Sequence, residues 1–133
     1  MFQARNTYTS YGYQLSPVVI LKYQPQPAEQ PFGQAGTKYL ARLVLNKIVE
    51  FKKYGQDGYE RTLGVVFLGG KNVNLEMVKA GSAEVHRGPP AAGFDSAPYW
   101  KAEGEARTVK KGMWAQGNKY LSPREWRKVR SAN

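Results

Sequence analysis

The spacing of hydrophobic residues changes along the chain and predicts where helices and strands lie. Between residues 34 and 47, apolar side chains recur at the spacing of one helical face, while Lys38 and Arg42 fall on the opposite side. This pattern predicts an amphipathic helix. Its buried face is expected to comprise Ala35, Tyr39, Leu40, Leu43 and Val44.

Segments rich in β-branched and aromatic residues predict strands in the first half of the chain. Residues 6 to 24 contain many Thr, Tyr, Val and Ile residues with a break at Ser16 and Pro17, which predicts two strands. The following PQPAEQPFG contains three prolines and predicts a loop. Residues 47 to 55 predict another strand, and RTLGVVFLGGKNVN predicts a strand, a Gly-Gly turn and a short returning strand.

Capping residues predict a second helix after this hairpin. Either Asn72 or Asn74 is expected as its N-cap, with Leu75 and Val78 facing inward and Gly81 ending it. The next six residues, SAEVHR, predict a last strand.

A third and longer helix is predicted after the loop GPPAAGFDSAP. Ser96 is expected to cap it and Gly112 to end it. The predicted buried stripe is Tyr99, Ala102, Ala106 and Val109. The charges suit the helix dipole, with acids near the start and bases at the end: Glu103, Glu105, Lys110 and Lys111.

This order of elements predicts an α+β fold in one domain. A small barrel of mostly antiparallel strands with helices packed against it fits the order, and the oligonucleotide-binding barrel is one such architecture. The length of 133 residues suits a single domain over 1–133. Within it, residues 1–30 form a divergent part with the first strands and a loop, and residues 115–133 form a basic tail.

The charge of the chain points to an anionic partner. The net charge is +10 and the sequence pI is near 9.9, which favours nucleic acid, an anionic membrane face or an acidic protein surface. From residue 101 to residue 130 there are nine bases and three acids, so this stretch carries most of the excess. A solvated basic face without any partner is the simplest alternative.

Several classes of site and segment find no support in the sequence. Without any cysteine, there are no disulfides, thiolate metal sites or cysteine nucleophiles. No apolar run approaches the roughly 20 residues of a membrane span, and the first residues lack the apolar core of a signal peptide. The compartment stays open between the mitochondrion and the cytoplasm.

Three segments in the same order resemble the staphylococcal-nuclease-like (thermonuclease) family. They are DGYERTLGVVFLGGKNVNLEMVKAGSAEV, YWKAEGEARTVKKGMW and SPREW, and PFGQAGTKYLARLVLNKIVEF precedes them. The Asp-x-Tyr-x-Arg-x-Leu pattern lies at Asp57, Tyr59, Arg61 and Leu63. The resemblance covers residues 31 to 127 and implies a five-stranded oligonucleotide-binding type barrel with three helices.

The resemblance also implies a chemistry, because active family members hydrolyse DNA and RNA phosphodiester bonds with calcium. Carboxylates hold the cation, a carboxylate assists the attacking water, and two arginines neutralise charge on the phosphate. Arg61 matches one of these arginines. It is expected either to contact phosphate or to pair with a neighbouring carboxylate, Asp57 or Glu60.

The first half of the chain lacks most of the other family residues. In VVILKYQPQPAEQPFG, Ile20 stands where the second arginine is expected, and Pro25 or Gln26 stands where a metal-binding Asp is expected. Ala28 or Glu29 stands at the general-base position, and Glu29 is the only acid in residues 1 to 49. Further back, Asn6 and Thr7 fall near the Asp-Thr pair of active members. No metal site or cofactor is therefore predicted, and calcium enters only if catalysis is retained.

Other residues are candidates for contact with nucleic acid. His86 and Arg87 end the predicted last strand, near which the family binds its nucleotide. Further bases are Lys110 and Lys111 at the end of the third predicted helix and, in the basic tail, Lys119, Arg124, Arg127 and Lys128. A row of tyrosines either stacks on bases or belongs half to the core and half to a partner interface: Tyr8, Tyr11, Tyr13 and Tyr23. Tryptophans that are expected to anchor packing are Trp100, Trp114 and Trp126.

Three functions fit these observations. The favoured one is a nuclease-fold protein that has lost catalysis and serves as a nucleic-acid-binding or structural module. An active calcium-dependent endonuclease is the second, with Arg61 and Glu29 as its candidate catalytic residues. The third is an accessory subunit of a larger assembly, with the mitochondrion as one candidate compartment, in which the barrel is a scaffold and a partner completes its open edge.

Overall fold

The computed structural model describes residues 32–56, 62–85 and 89–132. The strands predicted between residues 6 and 24, together with Glu29, lie outside these ranges. The described part contains a sheet of three strands, four α-helices and one 3-10 helix. In chain order they are α1 (Gly33–Val44), β1 (Glu50–Gln56), β2 (Thr62–Leu68), β3 (Lys71–Asn72), α2 (Val73–Lys79), α3 (Ala97–Thr108), the 3-10 helix (Gly112–Lys119) and α4 (Pro123–Ala132).

The sheet is antiparallel in the order β1-β2-β3. The pairing of β1 with β2 shifts at a bulge between Lys53 and Gln56. The Phe51 ring lies across Gly64 on β2, where a Cβ atom would sit 2.4 Å from the ring, so only glycine fits there. These three strands agree with the predicted hairpin and return. Other strands of the predicted five-stranded barrel fall on residues outside the described ranges, so the barrel stays a prediction.

The core lies between the sheet and the helices. Leu40 and Leu43 of α1 pack against two clusters of buried residues. One cluster is on the sheet side and contains Val49, Val66 and Val73. The other joins α2 to α3 and contains Met77, Val78, Ala83, Val85, Tyr99 and Ala102.

The start of α2 uses both candidate capping asparagines, in different ways. Asn72 is the N-cap, since its side-chain oxygen accepts a hydrogen bond from the Leu75 amide at 2.9 Å. The Asn74 side chain is buried and accepts a hydrogen bond from the Val66 amide of β2 at 2.8 Å. Gly81 follows the helix with φ 71°, as predicted for its stop.

The face of α1 differs from the prediction at one position. Ala35 is exposed and Gly36 is buried, because the packed stripe runs through Gly36, Leu40 and Leu43. Lys38 and Arg42 are exposed as expected.

Helix α3 also departs from the prediction at both ends. The Ser96 side chain makes no capping hydrogen bond, and Asp95 accepts one from the Ala97 amide instead. The helix ends at Thr108, before Gly112, so Val109 lies past its last turn and is 67% exposed. The buried residues of the helix are Tyr99, Ala102, Glu103 and Ala106, so Glu103 is a buried position that the predicted stripe lacks.

Two other expectations are corrected. Residues 82–85, the described part of the predicted last strand, are not in a strand of the described sheet, and the Val85 amide donates a hydrogen bond to the Glu103 carboxylate. The chain has a fourth α-helix, α4, beyond the three predicted. Of the tryptophans, Trp114 is buried and Trp126 half-buried, whereas Trp100 is 43% exposed on α3.

Candidate nucleic-acid interface

The hairpin of β1 and β2 is the element that carries Arg61. Thr62 begins β2 opposite Gln56, the last residue of β1, so Arg61 directly precedes a fixed strand. Arg61 itself, with Asp57 and Glu60, lies outside the described residues. Its contact with phosphate therefore stays a prediction, as does the alternative of a carboxylate partner.

Aromatic rings connect this hairpin to the loop before α3. Phe94 contacts Tyr54 of β1 edge to face at 5.3 Å and Tyr99 of α3 at 5.1 Å. The Tyr99 hydroxyl accepts a hydrogen bond from the Asn72 side-chain amide at 2.6 Å. Burial raises the pKa of the Tyr99 hydroxyl, so this group stays neutral and the link persists at physiological pH. Lys52 lies with its ammonium 5.3 Å from the Tyr54 ring.

A buried carboxylate holds the chain just before His86 and Arg87. Glu103 is 3% exposed and accepts a hydrogen bond from the Val85 amide at 2.8 Å. Its second oxygen lies 3.4 Å from Nε of Arg107. His86 and Arg87 lie outside the described residues, but the backbone that leads into them is fixed by α3.

The basic end of α3 is held by a close contact between two backbones. The Met113 amide donates to the Gly81 carbonyl at 2.9 Å. A Cβ atom on Gly81 would lie 2.1 Å from the Lys111 carbonyl oxygen, and one on Gly112 would lie 2.4 Å from the Gly81 oxygen. Lys110 and Lys111 therefore sit on a rigid turn, and both are exposed.

The segment after α3 returns to residues 83–85 through aromatic contacts. The Arg107 guanidinium lies 4.1 Å from the Trp114 ring centre, and Tyr120 packs on the same tryptophan at 4.7 Å. The Tyr120 hydroxyl donates to a carboxylate oxygen of Glu84 at 2.5 Å. Glu84 and Val85 are thus each held by a different part of the C-terminal half.

The remaining predicted tail residues lie on the 3-10 helix and on α4. Lys119 and Lys128 are exposed. Arg124 and Arg127 are positions of α4 whose side chains lie outside the described part. Ser122 and Glu125 form a reciprocal cap at the start of α4, at 2.8 and 3.2 Å. The exposure of Lys119 and Lys128 suits contact with a phosphate backbone, and that contact stays a prediction.

The acids needed for a metal centre are not gathered in the part of the chain that is described. Over 32–56, 62–85 and 89–132, no group of three or more acidic or histidine side chains could hold an ion. Glu29, Asp57 and Glu60 fall outside these ranges, so the separation between Arg61 and these carboxylates stays untested. No described helix is long and apolar enough to cross a bilayer.

Comparison with known proteins identifies the family. The model of the staphylococcal nuclease homologue family matches residues 15–116. The chain belongs to this family. The resemblance seen in the sequence is confirmed, and the match starts before the motifs that first indicated it. The family's α+β fold of oligonucleotide-binding type agrees with the antiparallel sheet and helices of the described part.

Family relatives that carry the name endonuclease match most of the chain. A protein of Haemophilus influenzae named "Uncharacterized endonuclease" is 37% identical over 105 residues, which cover 78% of this chain and 56% of the relative. "Probable endonuclease LCL3" of Pyricularia oryzae is 35% identical over 109 residues, covering 77% and 42%. The Botryotinia fuckeliana protein of the same name is 37% identical over 111 residues, covering 78% and 42%. The chain thus spans about half the length of these relatives.

Two residues that organise the site were not predicted from the sequence. The sequence predicts only a helix-dipole contribution for Glu103 and no role for Tyr120. A signal for Glu103 exists in its spacing, since it falls one position after Ala102 and three before Ala106 of the buried stripe. Tyr120 contacts a residue 36 positions away, and no local pattern marks such a contact.

Proposed function

We propose that this member of the staphylococcal nuclease homologue family binds nucleic acid without the calcium-dependent hydrolysis of active members. One observation carries the proposal: Glu29 is the only acid among residues 1 to 49. By resemblance, that part of the chain should supply the metal ligands and the general base. One carboxylate in it leaves too few charged oxygens for both tasks.

The donor set does not fit calcium. Calcium takes six to eight oxygen ligands, and tight sites use several carboxylates. The described residues offer no cluster of three acids, and Asn6 would supply a neutral oxygen at a position where the family uses a charged one. The residues of this chain are therefore expected to bind phosphate through cations of their own.

Charge and exposure support the binding half of the proposal. The chain carries a net charge of +10, and lysines on the turn after α3, the 3-10 helix and α4 are exposed. Each cation that neutralises a phosphate releases a counterion, so affinity should fall steeply with salt. The nuclease fold of the family favours nucleic acid over an acidic protein as the partner.

The test is incubation of labelled single-stranded DNA and RNA with calcium or with a chelator, with binding and cleavage recorded in the same samples. The variants are Arg61→Ala and, as a matched control, Arg42→Ala, which removes an exposed arginine from α1. Binding is expected without cleavage, with an affinity that falls at least about tenfold between about 50 and 200 mM salt. Arg61→Ala should weaken binding more than Arg42→Ala does.

An active endonuclease is the second candidate, and the relatives named endonuclease favour it, since they match over three quarters of the chain. Cleavage that needs calcium and is lost in Arg61→Ala, but kept in Arg42→Ala, would establish it and refute our proposal. A wild-type protein that neither binds nor cleaves would instead favour a scaffold within a larger assembly.

A further inference from the structure

The basic helix α4 is placed by the segment that leads into it. Most of its described side chains are exposed, and Val129 is 48% exposed. Trp126 is half-buried, with its indole nitrogen fully covered. Tyr120, three residues before Pro123, is an anchored residue of the chain that enters this helix.

Two contacts fix Tyr120. Its ring packs on Trp114, which is 6% exposed, at a centroid distance of 4.7 Å. Its hydroxyl donates to the Glu84 carboxylate at 2.5 Å, a charge-assisted bond of the stronger kind. The ring contact supplies burial, whereas the hydrogen bond sets the direction in which the chain leaves towards α4.

The partner of this hydrogen bond lies beside another candidate contact. Glu84 comes two residues before His86, and the neighbouring Val85 is fixed by Glu103. The start of α4 and the backbone entering His86 and Arg87 therefore share one anchored segment, residues 83–85. Between residues 119 and 130 the tail carries five bases and one acid, so the stretch that Tyr120 anchors to Glu84 is strongly basic.

We infer that Tyr120 is a positioning residue that holds α4 as part of one phosphate-binding surface for a nucleic-acid strand. The inference rests on the proposed function. Without the bond to Glu84, the bases of α4 are still present, but they no longer lie in the phosphate-binding surface. The affinity that they contribute is lost while the net charge stays the same.

The test compares Tyr120→Phe with Tyr99→Phe. Both remove one hydroxyl and keep the ring and the charge, but Tyr99 bonds to Asn72 inside the core. Affinity for a labelled single-stranded oligonucleotide is measured at several salt concentrations. Order in α4 is measured without nucleic acid, by heteronuclear NMR relaxation of its backbone amides.

Tyr120→Phe is expected to weaken binding about tenfold at low salt and to lower the salt slope by about 1.4, which corresponds to two phosphate contacts. The amides of α4 should become mobile in this variant. Tyr99→Phe should change neither quantity. Lys128→Gln should weaken binding in the wild-type background and have little further effect in the Tyr120→Phe background, because Lys128 is already disengaged.

Each remaining outcome overturns the inference. A salt slope that is unchanged in Tyr120→Phe, or effects of Tyr120→Phe and Lys128→Gln that simply add, would show that Tyr120 does not position the tail. In that case the proposed function stands. A wild-type protein that binds no oligonucleotide at any salt concentration refutes the proposed function itself, and this inference with it.

Discussion

Glu103 connects two separate parts of the fold through one carboxylate. It lies on α3, is 3% exposed, and accepts a hydrogen bond from the Val85 amide. Its ion pair with Arg107 is half in solvent, since Arg107 is 47% exposed, and such pairs contribute little to stability. The buried hydrogen bond is therefore the larger of the two contributions.

This reasoning predicts different costs for two substitutions. Glu103→Ala leaves the Val85 amide buried without its acceptor and should lower the free energy of unfolding by about 2–4 kcal/mol. Glu103→Gln keeps an acceptor oxygen and should cost about 1 kcal/mol or less. Urea unfolding of both variants measures the difference. Equal costs would mean that the charge matters more than the hydrogen bond.

At the scale of elements, two glycines allow α2, α3 and the 3-10 helix to meet. Gly81 and Gly112 both have positive φ, at 71° and 58°, and their backbones touch. Gly93 also has positive φ, at 79°, but a Cβ atom there would contact nothing within 4 Å. Alanine at Gly93 therefore measures the cost of the backbone conformation alone, whereas alanine at Gly81 adds a steric clash with the Lys111 carbonyl.

Gly93→Ala should lower the free energy of unfolding by about 1–2 kcal/mol, the cost of a left-handed conformation for alanine. Gly81→Ala should cost at least about 3 kcal/mol, because a collision with the Lys111 carbonyl is added. Chemical denaturation of the two variants under the same conditions provides the comparison. If both variants lose the same free energy of unfolding, the contact between Gly81 and Lys111 accommodates a methyl group without added cost.

The cap of α4 makes this helix sensitive to acid. Hydrogen bonds from the Ser122 backbone and then from its side chain lower the pKa of Glu125 below the ordinary 4.5. A lowered pKa in the folded state means that the carboxylate stabilises the helix above about pH 4.5 and that this support is lost as the pH falls through the folded value. The chemical shift of the Ser122 amide should report this with a midpoint below 4.5.

Glu125→Gln is the control, because glutamine can cap without titrating. Its Ser122 amide should show no such transition. A wild-type midpoint at or above the ordinary value would contradict the cap as described.

The elements were predictable where their signals are local. The Asn72 cap and the Gly81 stop are set by neighbours within a few residues, and the sequence predicts Gly81 as the stop and narrows the cap to Asn72 or Asn74. Val109 was misplaced because the end of α3 depends on the turn at Lys110, where a non-glycine residue has φ 53°. Glu103 and Tyr120 were missed because their partners lie 18 and 36 residues away.

At the scale of the whole molecule, the charge of +10 acts on both stability and binding. Like charges repel each other in the folded state, and salt screens that repulsion. The melting temperature should rise by about 3 °C between about 20 and 200 mM sodium chloride, whereas affinity for nucleic acid falls over the same range. Calorimetry without nucleic acid measures the first effect; a melting temperature that stays constant or falls would contradict it.

The family and the sheet-and-helix class could be read from the sequence, since several motifs occur in one order and the match over residues 15–116 confirms them. The site is a different matter. Arg61, His86 and Arg87 were chosen by position in the motifs, and their surroundings depend on where distant segments meet. The sequence does argue against a metal site beside Arg61, because Glu29 is the only acid among residues 1 to 49.

The hydrogen bond from Val66 to Asn74 has a consequence for hydrogen exchange. β3 pairs only Lys71 and Asn72 with β2, and the position that would face Val66 is Val73, the first residue of α2. The Val66 proton is therefore covered by a helical side chain and not by a strand. It should exchange with deuterated solvent when the first turn of α2 opens, so that one amide of the sheet reports the opening of a helix.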